Sequence, residues 1–457
     1  REFKLAIQKR VKDAAKKAGV DLEDFTVGVE QYLVQSTLVD AITALRTNPN
    51  AVGWYNEKVT KALNLLSLVH PELATDPEAK FAFTWALAAT SNGLKVNDNF
   101  KYAEAAYAYF KENGVMPTNI QAGTAQKAIN GAMDMYNELI ARDGFEAVEQ
   151  FMTTMHTVKE VEAYTKTNVS GENKTTMVYG AAAMGPKIGN GFFANLYGHF
   201  EQLTMDRWLM RTWGRWTGTL VEENKTNIKT KSTQLKDLIR LLSKEDKKAF
   251  ESILKIKMTL SNVEAVAVEI KKRSMKPANR ELMNVIGVSE EAVQKLEVLF
   301  GKARGSENRV GFGDQMRKVG NSLAGYLDGQ KEAPSGPPER NRIRRVFQQA
   351  LTLLQQDNPA LTMSDLQALL WYPEKRLYDA AKTKDKNADA GYEDDAAPDY
   401  ANAAAALAKS KGVSDDIISA TIREVDNGIR TNTDGAGASQ RGVGKLLEEL
   451  EEVQQED

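Results

Sequence analysis

Apolar residues recur along this 457-residue chain at helical spacing. Leu235, Leu238, Ile239 and Leu242 fall at i, i+3, i+4 and i+7, and Ile343, Val346, Leu351 and Leu354 follow a similar stripe. Near the start, Leu5, Ile7 and Val11, then Val27, Val29, Leu33, Val34, Leu38, Ile42 and Leu45, predict two or three helices. From about Pro77 to Gly218 the aromatics Phe81, Trp85, Tyr102, Tyr107, Tyr109, Phe110, Tyr136, Phe145 and Phe151 are spaced like the core of a compact helical domain. Ser91-Asn92-Gly93, Asn113-Gly114 and Asp143-Gly144 mark breaks, and the pairs Ser243–Asp246, Ser261–Glu264 and Ser364–Gln367 read as helix caps. The fold expected is all-α, a helical multi-domain protein.

The same pattern divides the chain into an N-terminal helical region (1–76), a central domain (77–222), a helical bundle region (223–330) and a linker (331–342). A helical segment (343–381), a polar loop expected to be mobile (382–400) and C-terminal helices with an acidic tail (401–457) follow. Pro334-Ser-Gly-Pro-Pro338 carries the linker reading, and in Trp371-Tyr-Pro373 the proline is expected to end a helix. Gly301-Lys-Ala-Arg-Gly-Ser and Gly311-Phe-Gly form a flexible basic loop, a poor phosphate loop because no strand precedes it.

Composition narrows the chemistry. With 60 Lys and Arg against 62 Asp and Glu, the net charge of −2 argues against a wholly basic nucleic-acid coat. That average hides basic segments at Lys9–Lys17, Lys187–Arg215 and Arg340–Arg345, the first most simply a solvated helical face. The absence of Cys excludes disulfides, thiolate zinc sites, cysteine nucleophiles and cysteine-bound iron–sulfur clusters. His70, His156 and His199 stand far apart, so no metal and no cofactor is expected. No apolar run approaches a membrane span. The chain opens at Arg1 without Met or a secretory signal and reads as a processed product or a piece of a longer protein.

The segment Met184-Gly-Pro-Lys-Ile-Gly-Asn190 places a Gly-Pro turn before a helical pattern, where backbone N–H groups can hold phosphate oxygens and Lys187 adds a cation. Nineteen residues later comes Asp206, in Leu203-Thr-Met-Asp-Arg-Trp-Leu-Met-Arg211. Each has an ordinary reading as well. Lys187 is a surface cation, Asp206 caps a helix or pairs with Arg207 or Arg211, and Trp208, Trp213 and Trp216 pack a core.

The order of these residues resembles the core of the helix-hairpin-helix DNA glycosylase superfamily, the endonuclease III and oxoguanine glycosylase type, over about residues 77–218. There a Gly-x-Gly-x-Lys hairpin precedes a helix, a catalytic Asp and an Arg five residues on. Gly185 matches the second hairpin glycine, Lys187 the catalytic lysine of the bifunctional members, Asp206 the aspartate and Arg211 the later arginine. Upstream, Phe81 to Tyr102 is similar to the family's early helix pair. The pattern departs at Ala183, where the first hairpin glycine would stand, and at Ala181, Pro186 and Trp208. The resemblance implies a DNA-binding protein that excises a base or cleaves abasic sites. In that scheme Gly185, Pro186 and Gly189 anchor the backbone with Arg207 and Arg211, Trp208, Trp213 or Trp216 supplies a wedge or stacking surface, Asp206 stabilises cationic character at C1′, and the Lys187 amine attacks it.

A second resemblance concerns setting. Gly185-Pro-Lys, Thr204-Met-Asp-Arg-Trp, Arg211-Thr-Trp-Gly-Arg215 and Trp371-Tyr-Pro-Glu-Lys-Arg-Leu-Tyr-Asp379 look like segments of large multi-domain phage-encoded proteins. This implies a phage virion or host-cytoplasm location, with DNA and other phage virion proteins as partners. The alternative function is a structural or ejected virion protein whose helical domain is non-catalytic.

Overall fold

The computed structural model describes residues 2–24, 26–47, 52–53, 57, 59–91, 96–121, 126–222, 224–274, 276, 278–279, 281–282, 312–329, 331, 333–382 and 400–433. The turn at Asn92-Gly93, the Gly301 loop, most of the polar loop at 382–400 and the acidic tail lie outside them.

Among the described residues the chain is all-α apart from one small sheet. In order run α1 (Glu2–Lys17), α2 (Val27–Thr47), α3 (Val59–Ser67), a 3-10 turn (Pro71–Ala74), α4 (Pro77–Thr90), α5 (Val96–Asn113), α6 (Gln126–Asp143) and α7 (Phe145–Met152). Then come β1 (Met155–Thr157), α8 (Val158–Thr165), β2 (Met177–Tyr179), a 3-10 turn (Gly180–Met184), a π-helix (Ile188–Phe193), α9 (Ala194–Leu196) and α10 (Arg207–Thr217). The remainder is α11 (Lys225–Leu241), α12 (Lys244–Leu254), α13 (Val263–Ser274), α14 (Phe312–Asp328), α15 (Pro337–Asp357), α16 (Met363–Lys382), α17 (Tyr400–Ser410) and α18 (Asp415–Thr433). Among the described residues no helix is long and apolar enough to cross a membrane.

Two compact units emerge, and neither is continuous in sequence. Arg1–Asp13 joins Gly218–Lys331, and Ala14–Thr217 joins Glu332–Asp457. In the first unit the expected stripe of α11 packs inward: Leu235 and Leu238 meet Phe250, Val266, Ile270, Met316 and Leu323 in one core. Ser243 caps α12 by accepting the Asp246 amide at 3.0 Å. Before α13 the capping exchange sits two residues earlier than expected. Thr259 and Asn262 bond each other's backbone N–H through their side chains, at 2.9 and 3.2 Å, because both can accept there.

The second unit is built around α4. Asp76 caps it by accepting the Glu78 amide, Pro77 opens it where no N–H is required, and nearly every side chain from Ala79 to Thr90 is buried. Phe81 lies within 5.8 to 6.1 Å of the rings of Trp85, Tyr136 and Phe193. Trp85 donates its indole N–H to the Ala132 carbonyl. The aromatics expected as core are buried at Phe81, Trp85, Tyr107 and Tyr136, whereas Tyr109 faces solvent, 44% exposed.

Prolines act differently from the sequence expectation. Pro337 and Pro338 open α15 at its first two positions instead of only breaking the chain. The helix end expected at Pro373 is absent, and α16 runs on to Lys382. An interior proline costs a helix about 3 kcal/mol, and burial of Leu366, Leu369 and Leu370 together with an ion pair from Glu374 to Arg215 offsets it. The cap of α16 is also displaced: Thr362 and Asp365 bond each other, which frees Ser364 and Gln367 for tertiary contacts.

Candidate functional site

The strand pair sets the entrance to the Gly-Pro turn. Thr157 and Glu160 form a capping box at the start of α8, and β1 pairs antiparallel with β2, Met155 opposite Tyr179. The chain then coils through the 3-10 turn at 180–184, reverses at Gly185 (φ +107°) and enters the π-helix at Ile188. A 3-10 turn and a π-helix thus stand on either side of the Gly-Pro turn. Gly189 is where the two coils touch, since any Cβ there would overlap the Ala181 carbonyl.

That compactness uses up amides. The Gly185 N–H donates to Ala182 and the Gly189 N–H to the Gly185 carbonyl, both at 2.8 Å. Pro186 has no N–H, so of this stretch the amides of Lys187 and Ile188 are left for any phosphate.

A polar chain fixes the segment after the π-helix. Asn190 accepts the Tyr179 amide and donates to Gln202, while the Asn195 side-chain amide donates to the Thr204 hydroxyl. From α16, Ser364 donates its hydroxyl to Asn195 at 2.8 Å, and Gln367 accepts the Thr204 amide at 2.9 Å. These bonds hold residues 190–206 against α16 and bring Asp206 to the first turn of α10.

There the structure brings Lys187 and Asp206 together on one cavity of about 160 Å³. Phe192, Trp208, Phe347, Trp371 and Tyr400 supply aromatic wall, and Thr204, Thr212 and Gln367 supply polar edges. An apolar cavity of about 150 Å³ accepts a single benzene-sized ring. Asp206 caps α10, accepting the Leu209 amide at 2.8 Å. Burial pushes its carboxyl above the usual carboxylate range, against the opposing pull of the Lys187 ammonium, the first amides of α10 and Arg211.

The other expected contact residues are spread out. Arg207 opens α10 and is partly accessible. Arg211 is buried, 3% exposed, with its guanidinium 4.6 Å over the Trp208 ring. Trp208 in turn lies 6.3 Å from Trp371. Trp213 and Trp216 are core residues whose indoles donate to Glu339 and Asp40. Three arginines of the basic segments form ion pairs within the unit. Arg215 bridges Asp40 (2.6 Å) and Glu374 (3.0 Å), and in α15 Arg344 binds Glu172 while Arg345 binds Glu30. Burial pushes the Glu374 carboxyl up, with Arg215 opposing.

Sequence reasoning missed Phe192, Phe347, Gln367 and Tyr400 as cavity walls. Gln367 and Trp371 do stand out in sequence, one in a capping pattern and the other in an aromatic-basic cluster, but neither pattern points across more than 150 residues to Asp206. Comparisons with the profiles of known protein families, with characterised proteins and with solved structures gave no match.

Proposed function

We propose that this chain binds DNA and takes one extruded base, or the sugar of an abasic site, into the aromatic cavity, where Lys187 and Asp206 act on it. The observation that carries this reading is the convergence of these two residues on one ring-sized cavity. Aromatic walls would hold a planar ring by stacking, and extrusion supplies the ring from a duplex. Asp206, ionised, would face the cationic character that develops at C1′ as a base leaves. On an abasic site the Lys187 amine and the sugar aldehyde would condense to an imine with loss of water, the carboxyl of Asp206 relaying the proton.

Borohydride trapping on an abasic duplex tests this. The imine is reduced to a stable covalent adduct in the wild type and not in Lys187→Gln, and a wild type that never traps removes the lyase step.

A second reading is favoured by local roles. Asp206 caps α10 and Arg211 is enclosed over Trp208, as a purely structural helical domain would also require. In that reading the protein is a scaffold, and neither trapping nor preference for an abasic site occurs.

A further inference from the structure

The net charge of the whole chain conceals a division between the two units. Arg1–Asp13 with Gly218–Lys331 contains 27 Lys and Arg against 17 Asp and Glu, a surplus of ten positive charges. The remaining residues hold 33 against 45. Of the basic segments Lys9–Lys17, Lys187–Arg215 and Arg340–Arg345, none falls wholly within the basic unit.

Within that unit α11 carries Lys225, Lys229, Lys231, Lys236 and Arg240 and a single acid, Asp237, a surplus of four. At about 100° per residue, Lys225, Lys229, Lys236 and Arg240 fall on one side of the helix, with Thr226 and Thr233 beside them. Leu235, Leu238 and Ile239 turn away from it into the core. Lys225 and Lys229 are exposed and Lys236 partly so. Arg240 pairs with Asp237 at 2.6 Å, whereas among the described residues Lys225, Lys229 and Lys236 have no carboxylate within ion-pair distance. From Lys225 to Arg240 the helix rises about 22 Å. Duplex DNA presents about a dozen phosphates over that length.

We propose that this face of α11 is a docking surface for the phosphate backbone of nucleic acid. Charge complementarity identifies the occupant: three uncompensated ammonium groups and two flanking hydroxyls match phosphate oxygens, which accept from both. An anionic membrane fits less well. A helix that lies in a lipid surface needs a bulky apolar face to insert, and the apolar side of α11 is already buried against Phe250 and Ile270. The surface is separate from the Lys187 cavity and does not depend on it.

The test is the salt dependence of binding of the full chain to a fluorescent 20-base-pair duplex. Lys225→Gln/Lys229→Gln/Lys236→Gln should weaken binding at least tenfold at low salt and reduce the slope of log affinity against log salt by about 3, one for each lost phosphate contact. Replacing the same three by Arg should retain wild-type affinity and slope, which separates lost charge from lost folding. An unchanged slope in the Gln variant, or binding to vesicles of anionic lipid without binding to the duplex, overturns the proposal. A protein that never traps an abasic site but shows this slope change loses the cavity reading and keeps this one, and the reverse outcome is equally distinct.

Discussion

Gly189 lies so close to Ala181 that the carbonyl of the latter occupies the place where a side chain would begin. The contact is backbone on backbone, so neither partner can move away by changing a rotamer. It seats the π-helix carrying Ile188 and Phe192 on the 3-10 turn, and through them it sets where Lys187 enters the cavity.

Gly189→Ala should therefore destabilise the protein by at least about 3 kcal/mol, beyond the usual cost of an overpacked core. Gly185→Ala meets open space and pays only for its positive φ, about 1 to 3 kcal/mol. Urea unfolding of the two variants measures both. A Gly189→Ala protein as stable as wild type would mean that the two turns are not packed in this way.

Asp206 combines a capping role with a carboxyl pushed upward by burial. Because its folded value lies above the unfolded value of about 3.9, the folded state holds the proton more tightly. Its contribution is fully present below the unfolded value and is lost as pH rises through the folded one. Asn at this position still caps a helix and does not titrate, so Asp206→Asn should flatten the fall in stability above pH 4 while changing stability at pH 4 by under about 1 kcal/mol. Asp206→Ala, which also lacks the cap, should lie about 1 kcal/mol below Asp206→Asn at every pH. Denaturation curves from pH 4 to 8 decide the matter, and identical pH profiles for wild type and Asp206→Asn would show that the carboxyl is not shifted.

Much of the architecture is legible in the 3.6-residue spacing of apolar positions, which identifies α11 and α15, and in the aromatics of α4 and α6. Local rules misplace what tertiary contacts decide. Pro373 is a helix breaker by its own chemistry, yet the helix continues where Glu374 reaches Arg215. Arg344 and Arg345 read as part of a basic segment, and their carboxylate partners lie more than 170 residues away in sequence. The pairing of Lys187 with Asp206 is an expectation from the glycosylase resemblance alone. The cavity they line is not legible in sequence, since Phe347, Gln367, Trp371 and Tyr400 come from helices far along the chain.

Arg215 sits between Asp40 and Glu374 and also neighbours Trp216, whose indole N–H donates to Asp40. Removing the cation leaves two carboxylates facing one another in a site that already disfavours charge. Arg215→Met should cost about 3 to 5 kcal/mol near neutral pH. Adding Glu374→Gln should recover part of that loss, giving a double variant less destabilised than the sum of the single ones. Thermal unfolding of the four proteins tests the coupling, and strict additivity would show that the buried groups do not interact.

Ala368 offers a way to separate a binding cavity from a packing flaw. It lines the cavity from α16 and is 4% exposed. Ala368→Leu would extend apolar carbons into existing space without touching Lys187 or Asp206 as chemical groups. Filling a void of this kind should change stability by no more than about 1 kcal/mol, and in the stabilising direction if the fit is good. If the cavity holds an extruded ring, the same change should abolish abasic-site trapping and the preference for an abasic over an intact duplex. The salt-dependent affinity supplied by α11 should persist. Retention of trapping at the wild-type rate in a folded Ala368→Leu protein would place the reacting sugar elsewhere.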